Sequence, residues 1–304
     1  MAVSFWIKLP ATSANLGAAF DTAAIALDFY LELEAEAAEE FRIEATGRNQ
    51  EQCGALENNL ILETYKRLLA REGRTVVPLA VRMKNGIPLG MGCGSSAAGR
   101  LAAIALANQF GRLGWSGEEI LAEACALEGH PDNAAACWLG SLVLAATEGR
   151  RVHVAQVKPP KGWLALVVLP VDPLATSKAR AVLPERYSRA DAVANVQAAA
   201  LLGLAFAQGR GELLRVAMAD RLHQPYRAEM CPLLPYLLPL AGEAGILGVA
   251  LSGAGPSVLV IVEGQEHVDA ATARIRGSLQ GGPSAEILTV EFVRRGATGT
   301  EIGN

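Results

Sequence analysis

The sequence predicts a protein of mixed class, α/β or α+β, in two domains. Three observations lead there. Runs of alternating apolar residues and runs at helical spacing are interleaved along the whole chain. The 304 residues exceed what one core of ordinary size occupies. A short run rich in proline and glycine, Lys-Pro-Pro-Lys-Gly at 158–162, divides the chain near its middle. The expected domains are 1–158 and 159–304.

Residues 2–9 alternate as a strand that ends at Pro10, and 11–21 form a loop of small and polar residues. Strands follow at 23–36 and 41–47. Leu60, Ile61, Tyr65, Leu68 and Leu69 recur at helical spacing, giving a helix over 58–71 with Asn58 or Asn59 as its N-cap. A strand at 77–85 feeds a glycine loop, and a helix over 97–110 leaves it. Helices are expected at 118–127 and, in short form, after 129–133, and strands at 142–145 and 152–157. The second half opens with a buried strand at 163–170. Helices at 189–208, 232–241 and 268–278 and a final strand at 285–293 complete it. The uncharged stretch 244–262 has the length of a membrane span, but the Leu-Ser-Gly-Ala-Gly-Pro-Ser run at its centre reads as strand–turn–strand.

With 27 basic and 31 acidic residues and no basic run, no nucleic-acid partner is expected. Cysteines at 53, 93, 125, 137 and 231 show no C-x-x-C spacing and suit reduced thiols in the cytoplasm. The N-terminus lacks the pattern of a secretory signal.

The run Pro88-Leu-Gly-Met-Gly-Cys-Gly-Ser-Ser-Ala-Ala98 carries the most chemistry. Gly90, Gly92 and Gly94 let backbone amides approach an anion, and Ser95 and Ser96 add hydroxyls at a helix start. Ala97 and Ala98 leave room for a polyphosphate. No Gly-Lys dipeptide occurs in the chain, so the loop is not a Walker A motif, and its G-x-G-x-G spacing is not a dinucleotide fingerprint. A tight turn packed against a strand is the plainer alternative. If the loop holds phosphate, the helix dipole and a Mg²⁺ ion must meet the charge, the ion taking a serine hydroxyl and a carboxylate.

These residues resemble the ATP-binding signature of the GHMP small-molecule kinases. Residues 9–21 resemble that family's first motif and 251–260 its C-terminal glycine motif, in the family's order. The chain is most similar to the homoserine kinase branch, which shares Pro10 to Gly17, Leu-Glu-Gly-His-Pro-Asp-Asn at 127–133 and Asp-Arg-Leu-His-Gln-Pro-Tyr-Arg at 220–227. The resemblance implies an α+β fold with a ribosomal-protein-S5-like N-terminal domain and a ferredoxin-like C-terminal one. It implies ATP-dependent phosphorylation of the L-homoserine hydroxyl, giving O-phospho-L-homoserine for threonine biosynthesis. No membrane association is expected, and a homodimer is the expected assembly.

By resemblance, Pro88, Leu89, Gly90, Met91, Gly92, Cys93, Gly94, Ser95, Ser96, Ala97 and Ala98 bind ATP, and Asn59 lies near adenine. Ser96 and Glu128 hold Mg²⁺. Glu123 is the rival carboxylate, and Glu128 itself sits unfavourably at a helix C-terminus. Asn15 and Asp21 face the amino-acid substrate, where Asp21 either accepts the hydroxyl proton or holds the ammonium and orients the nucleophile, the second role being preferred. His130, Asn133, Thr176 and Gly253 line the same site, with Asp132 read as a helix N-cap. Arg180 and Arg227 clamp the substrate carboxylate, a role suited to planar bidentate donors. Ala18-Ala19 replaces the family's Pro-Gly, and Cys93 its leucine. A GHMP kinase acting on mevalonate or a sugar, or a ligand sensor without turnover, are the alternatives.

Overall fold

The computed structural model describes residues 4–300. In chain order the N-terminal half runs β1 (Ser4–Ala14), β2 (Ala23–Ala37), β3 (Arg42–Gly47), α1 (Gln50–Gly54), α2 (Leu60–Arg71), β4 (Leu79–Asn85), α3 (Ser95–Phe110), α4 (Gly117–Glu128), α5 (Asp132–Leu139), β5 (Leu142–Glu148) and β6 (Arg151–Val157). The second half runs β7 (Trp163–Pro170), α6 (Thr176–Ala181), α7 (Arg189–Gln208), α8 (Leu214–Ala217), α9 (Gln224–Arg227), α10 (Leu234–Leu237), β8 (Ile246–Leu251), β9 (Val258–Glu263), α11 (Val268–Ser278), β10 (Ala285–Glu291) and β11 (Thr298–Gly299).

The first sheet has seven strands, ordered β11-β1-β2-β4-β3, with β5 and β6 continuing from the near end of β2. Among the described residues only the β3–β4 pairing is parallel. The second sheet, β10-β7-β9-β8, is antiparallel, and its strands and the two long helices α7 and α11 follow a β-α-β-β-α-β order. That is the ferredoxin-like arrangement expected of the C-terminal half.

Strand β1 does not stop at Pro10. It continues to Ala14, and its register against β2 shifts between Pro10 and Ala11. A proline cannot donate to the ladder, so it sits where the pairing is already irregular and the strand resumes beyond it. The expected helix at 232–241 is a broken series of short turns, α10 and a 3₁₀ turn at Leu238–Leu240, because Pro235 and Pro239 interrupt the hydrogen-bond ladder. The 244–262 stretch is β8, a turn and β9.

Helix α3 explains the alanine-rich composition. Its residues Ala97, Ala98, Ala102, Ala103 and Ala107 are all fully buried, so small side chains let it approach the sheet and neighbouring helices closely. The chain ends by returning to the first half. Ser141 donates its amide to the Val293 carbonyl at 2.8 Å, and β11 pairs with β1 at Ile7–Gly299 and Lys8–Thr298.

Candidate active site

The glycine loop leaves β4 at Asn85. The buried Asn85 amide fixes the exit, accepting from the Ile87 amide at 3.0 Å and donating to the Arg48 and Ile87 carbonyls, each at 2.9 Å. Gly90, Gly92 and Gly94 then adopt φ of 69°, 73° and 74°. Two of these positions admit nothing larger. A Cβ on Gly92 would run into the Ser252 carbonyl, and one on Gly94 into the Thr12 hydroxyl. The loop is thus pressed between the first motif and the C-terminal glycine motif. The contact is bonded on both sides: Thr12 N–H donates to the Cys93 carbonyl at 3.1 Å, and Ser252 Oγ donates to the Gly92 carbonyl at 2.7 Å.

Gly94 is the N-cap of α3, and no side chain caps that helix. The amides of Ser95, Ser96 and Ala97 therefore have no partner within the helix, and all three residues line a cleft. This is the electrostatic setting of an anion site. A cavity of about 250 Å³ adjoins it, lined by Asn58, Asn59, Leu60, Met83, Ile87, Leu89 and Ala98 and sharing Ser95 and Ser96 with the cleft. Asn59 caps α2, accepting from the Ile61 and Leu62 amides, and also borders this cavity. Pro88, Met91 and Cys93 line neither space.

Beside the loop, Ser96 Oγ donates to Glu128 Oε1 at 2.7 Å, and the Arg100 guanidinium reaches the same oxygen at 3.1 Å. Helix α4 ends at Glu128 because Gly129 takes the left-handed conformation, φ 81°. Glu123 lies elsewhere. It is buried and paired to Arg71 at 2.6 Å and Arg150 at 3.1 Å, so its work is structural.

The far end of the cleft is polar and charged. Asn15 (φ 69°) accepts from the Asp21 amide at 2.9 Å and donates to the Gly253 carbonyl at 2.8 Å. Asp21 accepts two hydrogen bonds from Arg180, at 2.5 and 3.0 Å. Burial works against the Arg180 charge, but the Asp21 hydrogen bonds outweigh it and raise its pKa. Arg227 is fully buried; burial, then the nearby Arg180 charge, lower its pKa. Its Nε donates to the Ala179 carbonyl at 2.9 Å and its NH1 lies 3.0 Å from His223 Nδ1. His223 Nε2 is 2.8 Å from the Gly17 carbonyl. An arginine donates only, so Nδ1 accepts and Nε2 carries the proton. Burial lowers the His223 pKa, in keeping with that neutral tautomer. Phe20 lies under both guanidiniums, each 5.4 Å from its ring centre.

His130 and Asp132 form a 2.6 Å pair. Burial disfavours the charged imidazole, but the hydrogen bond and charge of Asp132 prevail and raise the His130 pKa. Asp132 is not the N-cap of α5. Pro131 holds that position, and the Asp132 carboxylate accepts instead from His130 and from the Asn133 amide at 2.6 Å. Asn133 Oδ1 accepts from the Thr12 hydroxyl at 2.7 Å. Oxygen or nitrogen atoms of Asp21, His130 and Asp132 lie within 4.8 Å of one another. The Asp21 carboxylate is paired to the Arg180 cation, and that of Asp132 to His130 and the Asn133 amide.

The cleft thus gathers Asn15, Asp21, Gly90, Gly92, Gly94, Ser95, Ser96, Ala97, Glu128, His130, Asn133, Thr176, Arg180, Arg227 and Gly253. Sequence reasoning missed Phe20, His223 and the carboxylate role of Asp132. The i, i+4 spacing of His223 and Arg227 was a readable signal for one of them. The Ala18-Ala19 pair is buried, and its Ala18 carbonyl accepts from Asn195 at 2.5 Å, tying the first motif to α7.

Residues 59–141 match the family model for the GHMP kinases N terminal domain, and residues 204–280 the model for the GHMP kinases C terminal domain. The homoserine kinase of Solibacter usitatus is 46 % identical over 268 residues, covering 87 % of each chain. That of a Synechocystis species is 34 % identical over 304 residues, covering 99 % of each. The crystal structure of homoserine kinase from Cytophaga hutchinsonii shares the fold, with a TM-score of 0.82 at 23 % identity, covering 98 % of this chain and 97 % of that one. A glycine loop that offers bare amides, two matched domain models and relatives aligned nearly end to end agree: this chain belongs to the GHMP kinase family, the ATP-dependent small-molecule kinases.

Proposed function

We propose that the chain is a homoserine kinase, transferring the γ-phosphoryl group of ATP to the side-chain hydroxyl of L-homoserine. The observation that carries this reading is the convergence of Asp21, Arg180 and Arg227 on one cleft beside the glycine loop. An amino acid carries an ammonium and a carboxylate at one carbon, and this cleft offers both complements. The names of relatives at 34–46 % identity support the same choice.

In this reading the nucleotide base enters the cavity bordered by Asn59 and Leu89, and the polyphosphate lies along the amides of Gly92 to Ala97. Mg²⁺ fits Ser96 and Glu128, since a hydroxyl and a carboxylate oxygen already 2.7 Å apart suit a hard cation that keeps several waters. When bound, the ion neutralises charge on the β- and γ-phosphates. Asn15 and Asp21 hold the ammonium and hydroxyl end; Arg180 and Arg227 take the carboxylate. The hydroxyl oxygen bonds to the γ-phosphorus as the bond to the ADP oxygen breaks, and the hydroxyl proton passes to the transferred phosphoryl group and on to solvent. Asp21 orients this nucleophile. A loose phosphoryl transition state asks mainly for alignment and charge stabilisation, which an orienting carboxylate supplies. The product leaves as O-phospho-L-homoserine. A cytoplasmic setting suits five unpaired thiols.

The test is ADP release with homoserine, mevalonate and galactose as acceptors. Homoserine-dependent release that disappears in Glu128→Ala supports the reading. Preference for mevalonate or galactose would move the chain to another branch of the family, and binding without release would make it a sensor.

A further inference from the structure

One turn of the second half, Asp220 to Arg227, reaches three parts of the molecule at once. Asp220 anchors it. Its Oδ1 accepts from the Leu222 amide at 2.9 Å, and its Oδ2 from the His223 and Gln224 amides at 2.9 and 2.6 Å. With the backbone held this way, the Gln224 side-chain oxygen accepts from the Leu251 amide at 2.7 Å, where β8 enters the C-terminal glycine motif. His223, which is fully buried, makes the other two connections. Its Nε2–H donates to the Gly17 carbonyl at 2.8 Å, and its Nδ1 accepts from Arg227 Nη1 at 3.0 Å.

Those two bonds lead to opposite ends of the proposed acceptor. Gly17 belongs to the loop that carries Asn15 and Asp21, the residues assigned to the ammonium and hydroxyl. Arg227 is assigned to the carboxylate. Its Nε is spent on the Ala179 carbonyl and its Nη1 meets His223, while among the described residues Nη2 has no hydrogen-bond partner. An imidazole is rigid, so one side chain sets the separation between the two ends. Phe20, from the same loop as Asp21, stacks on the ring with centres 5.3 Å apart and planes at 29°, and it also lies under the Arg227 guanidinium. A ring turned by half a revolution would present carbon to Arg227, and a ring protonated at Nδ1 would set N–H against N–H. Only one state of the ring holds both partners.

His223 itself does not line the cleft, whereas Arg227 and Asp21 do. Resting on the homoserine kinase reading, we propose that His223 is a positioning residue for acceptor recognition. It aims the Arg227 fork at the substrate carboxylate and keeps the Asp21 loop at the matching distance. A histidine that served the core alone would cost every acceptor alike when replaced. A positioning histidine costs most for the acceptor that carries a carboxylate.

Steady-state ADP release with L-homoserine and with 3-amino-1-propanol, which lacks the carboxylate, tests this in two variants. In His223→Gln the amide nitrogen reaches the place of Nε2 and keeps the bond to Gly17, but nothing accepts from Arg227. In His223→Asn the side-chain oxygen stands near the place of Nδ1 and keeps the bond to Arg227, but Gly17 loses its donor. The expected result for His223→Gln is kcat/KM for homoserine down roughly 10-fold or more, chiefly through KM, as follows from loss of a hydrogen bond to a charged group. KM for ATP and kcat/KM for 3-amino-1-propanol stay nearly unchanged. His223→Asn lowers both acceptors alike and so keeps the preference for homoserine. Equal losses for both acceptors in His223→Gln, or a preference lost as fully in His223→Asn, would overturn the proposal. A wild type that releases no ADP with homoserine would instead defeat the reading beneath it, and the proposal with it. Should either variant fail to fold, ¹⁵N NMR of the histidine-labelled wild type decides: the expected His223 is protonated at Nε2 and bare at Nδ1, and a proton on Nδ1 would overturn the proposal.

Discussion

Asp21 and Arg180 hold each other in a two-bond ion pair that spans the two halves of the chain, 159 residues apart in sequence. Both are partly exposed, at 30 % and 36 %, so water and ligand reach them. In the proposed reaction each gives up the other for one end of the substrate, carboxylate to ammonium and guanidinium to carboxylate. A ligand with both charges satisfies both residues. A ligand with one leaves the other partner unpaired in the cleft.

Replacing Arg180 should therefore damage acceptor recognition more than nucleotide binding. Arg180→Lys keeps the charge but loses the fork, and a charge-assisted hydrogen bond in a partly solvated site is worth about 1.5–3 kcal/mol. Steady-state kinetics should show kcat/KM for homoserine down roughly 10- to 150-fold, with KM for ATP little changed. Equal losses for both substrates would contradict the assignment.

Ser96 and Glu128 predict a metal requirement. Chelation of divalent ions should abolish turnover, and added Mg²⁺ should restore it. Glu128→Gln should lower kcat by about 10²-fold or more, reflecting weaker charge stabilisation of the transferring group, and should raise the Mg²⁺ concentration needed. Glu123→Gln should leave the Mg²⁺ dependence alone and lower stability instead, because it strips Arg71 and Arg150 of their shared buried partner.

Gly92 and Gly73 separate backbone strain from crowding. Both have positive φ, 73° and 64°, but a Cβ on Gly73 meets nothing within 4 Å, whereas one on Gly92 meets the Ser252 carbonyl. Gly73→Ala should cost about 1–2 kcal/mol in urea unfolding, the penalty for a left-handed non-glycine residue. Gly92→Ala should cost more and should also abolish ATP binding, measured by calorimetry. Equal costs would mean that the loop does not press against the C-terminal motif.

His130 predicts a pH dependence. Its pKa is raised in the folded protein, so the protonated His130–Asp132 pair stabilises fully below about pH 6.5, the ordinary imidazole value. That contribution fades as pH climbs through the raised folded value. In thermal melts the stability difference between wild type and His130→Gln should shrink as pH rises above about 6.5. A difference that grew with pH would show that the buried imidazole is neutral.

Much of this site was legible in the sequence because its chemistry is local. A glycine loop between a strand and an alanine-rich helix announces itself in consecutive residues, and Asn15 and Asp21 lie in one short loop. The arginines were reached through motif resemblance, since spacing alone does not distinguish Arg180 or Arg227 from surface arginines. What stayed hidden depends on distant partners. Glu123 and Glu128 lie five residues apart on one helix, and only the fold places the first against Arg71 and the second against Ser96. Asp132 looked like a cap because aspartate before a helix usually is one; its neighbour His130 claimed the carboxylate. The run of β1 past Pro10 was missed because proline is a strand breaker except where the register shifts.

The most direct measurement compares L-homoserine with 4-hydroxybutyrate, which lacks the ammonium, and 3-amino-1-propanol, which lacks the carboxylate, in an ADP-release assay at saturating ATP and Mg²⁺. The zwitterion-selective cleft predicts kcat/KM at least roughly 10-fold higher for homoserine than for either analogue, because each analogue forgoes at least one charge-assisted hydrogen bond. Comparable turnover of either analogue would contradict it.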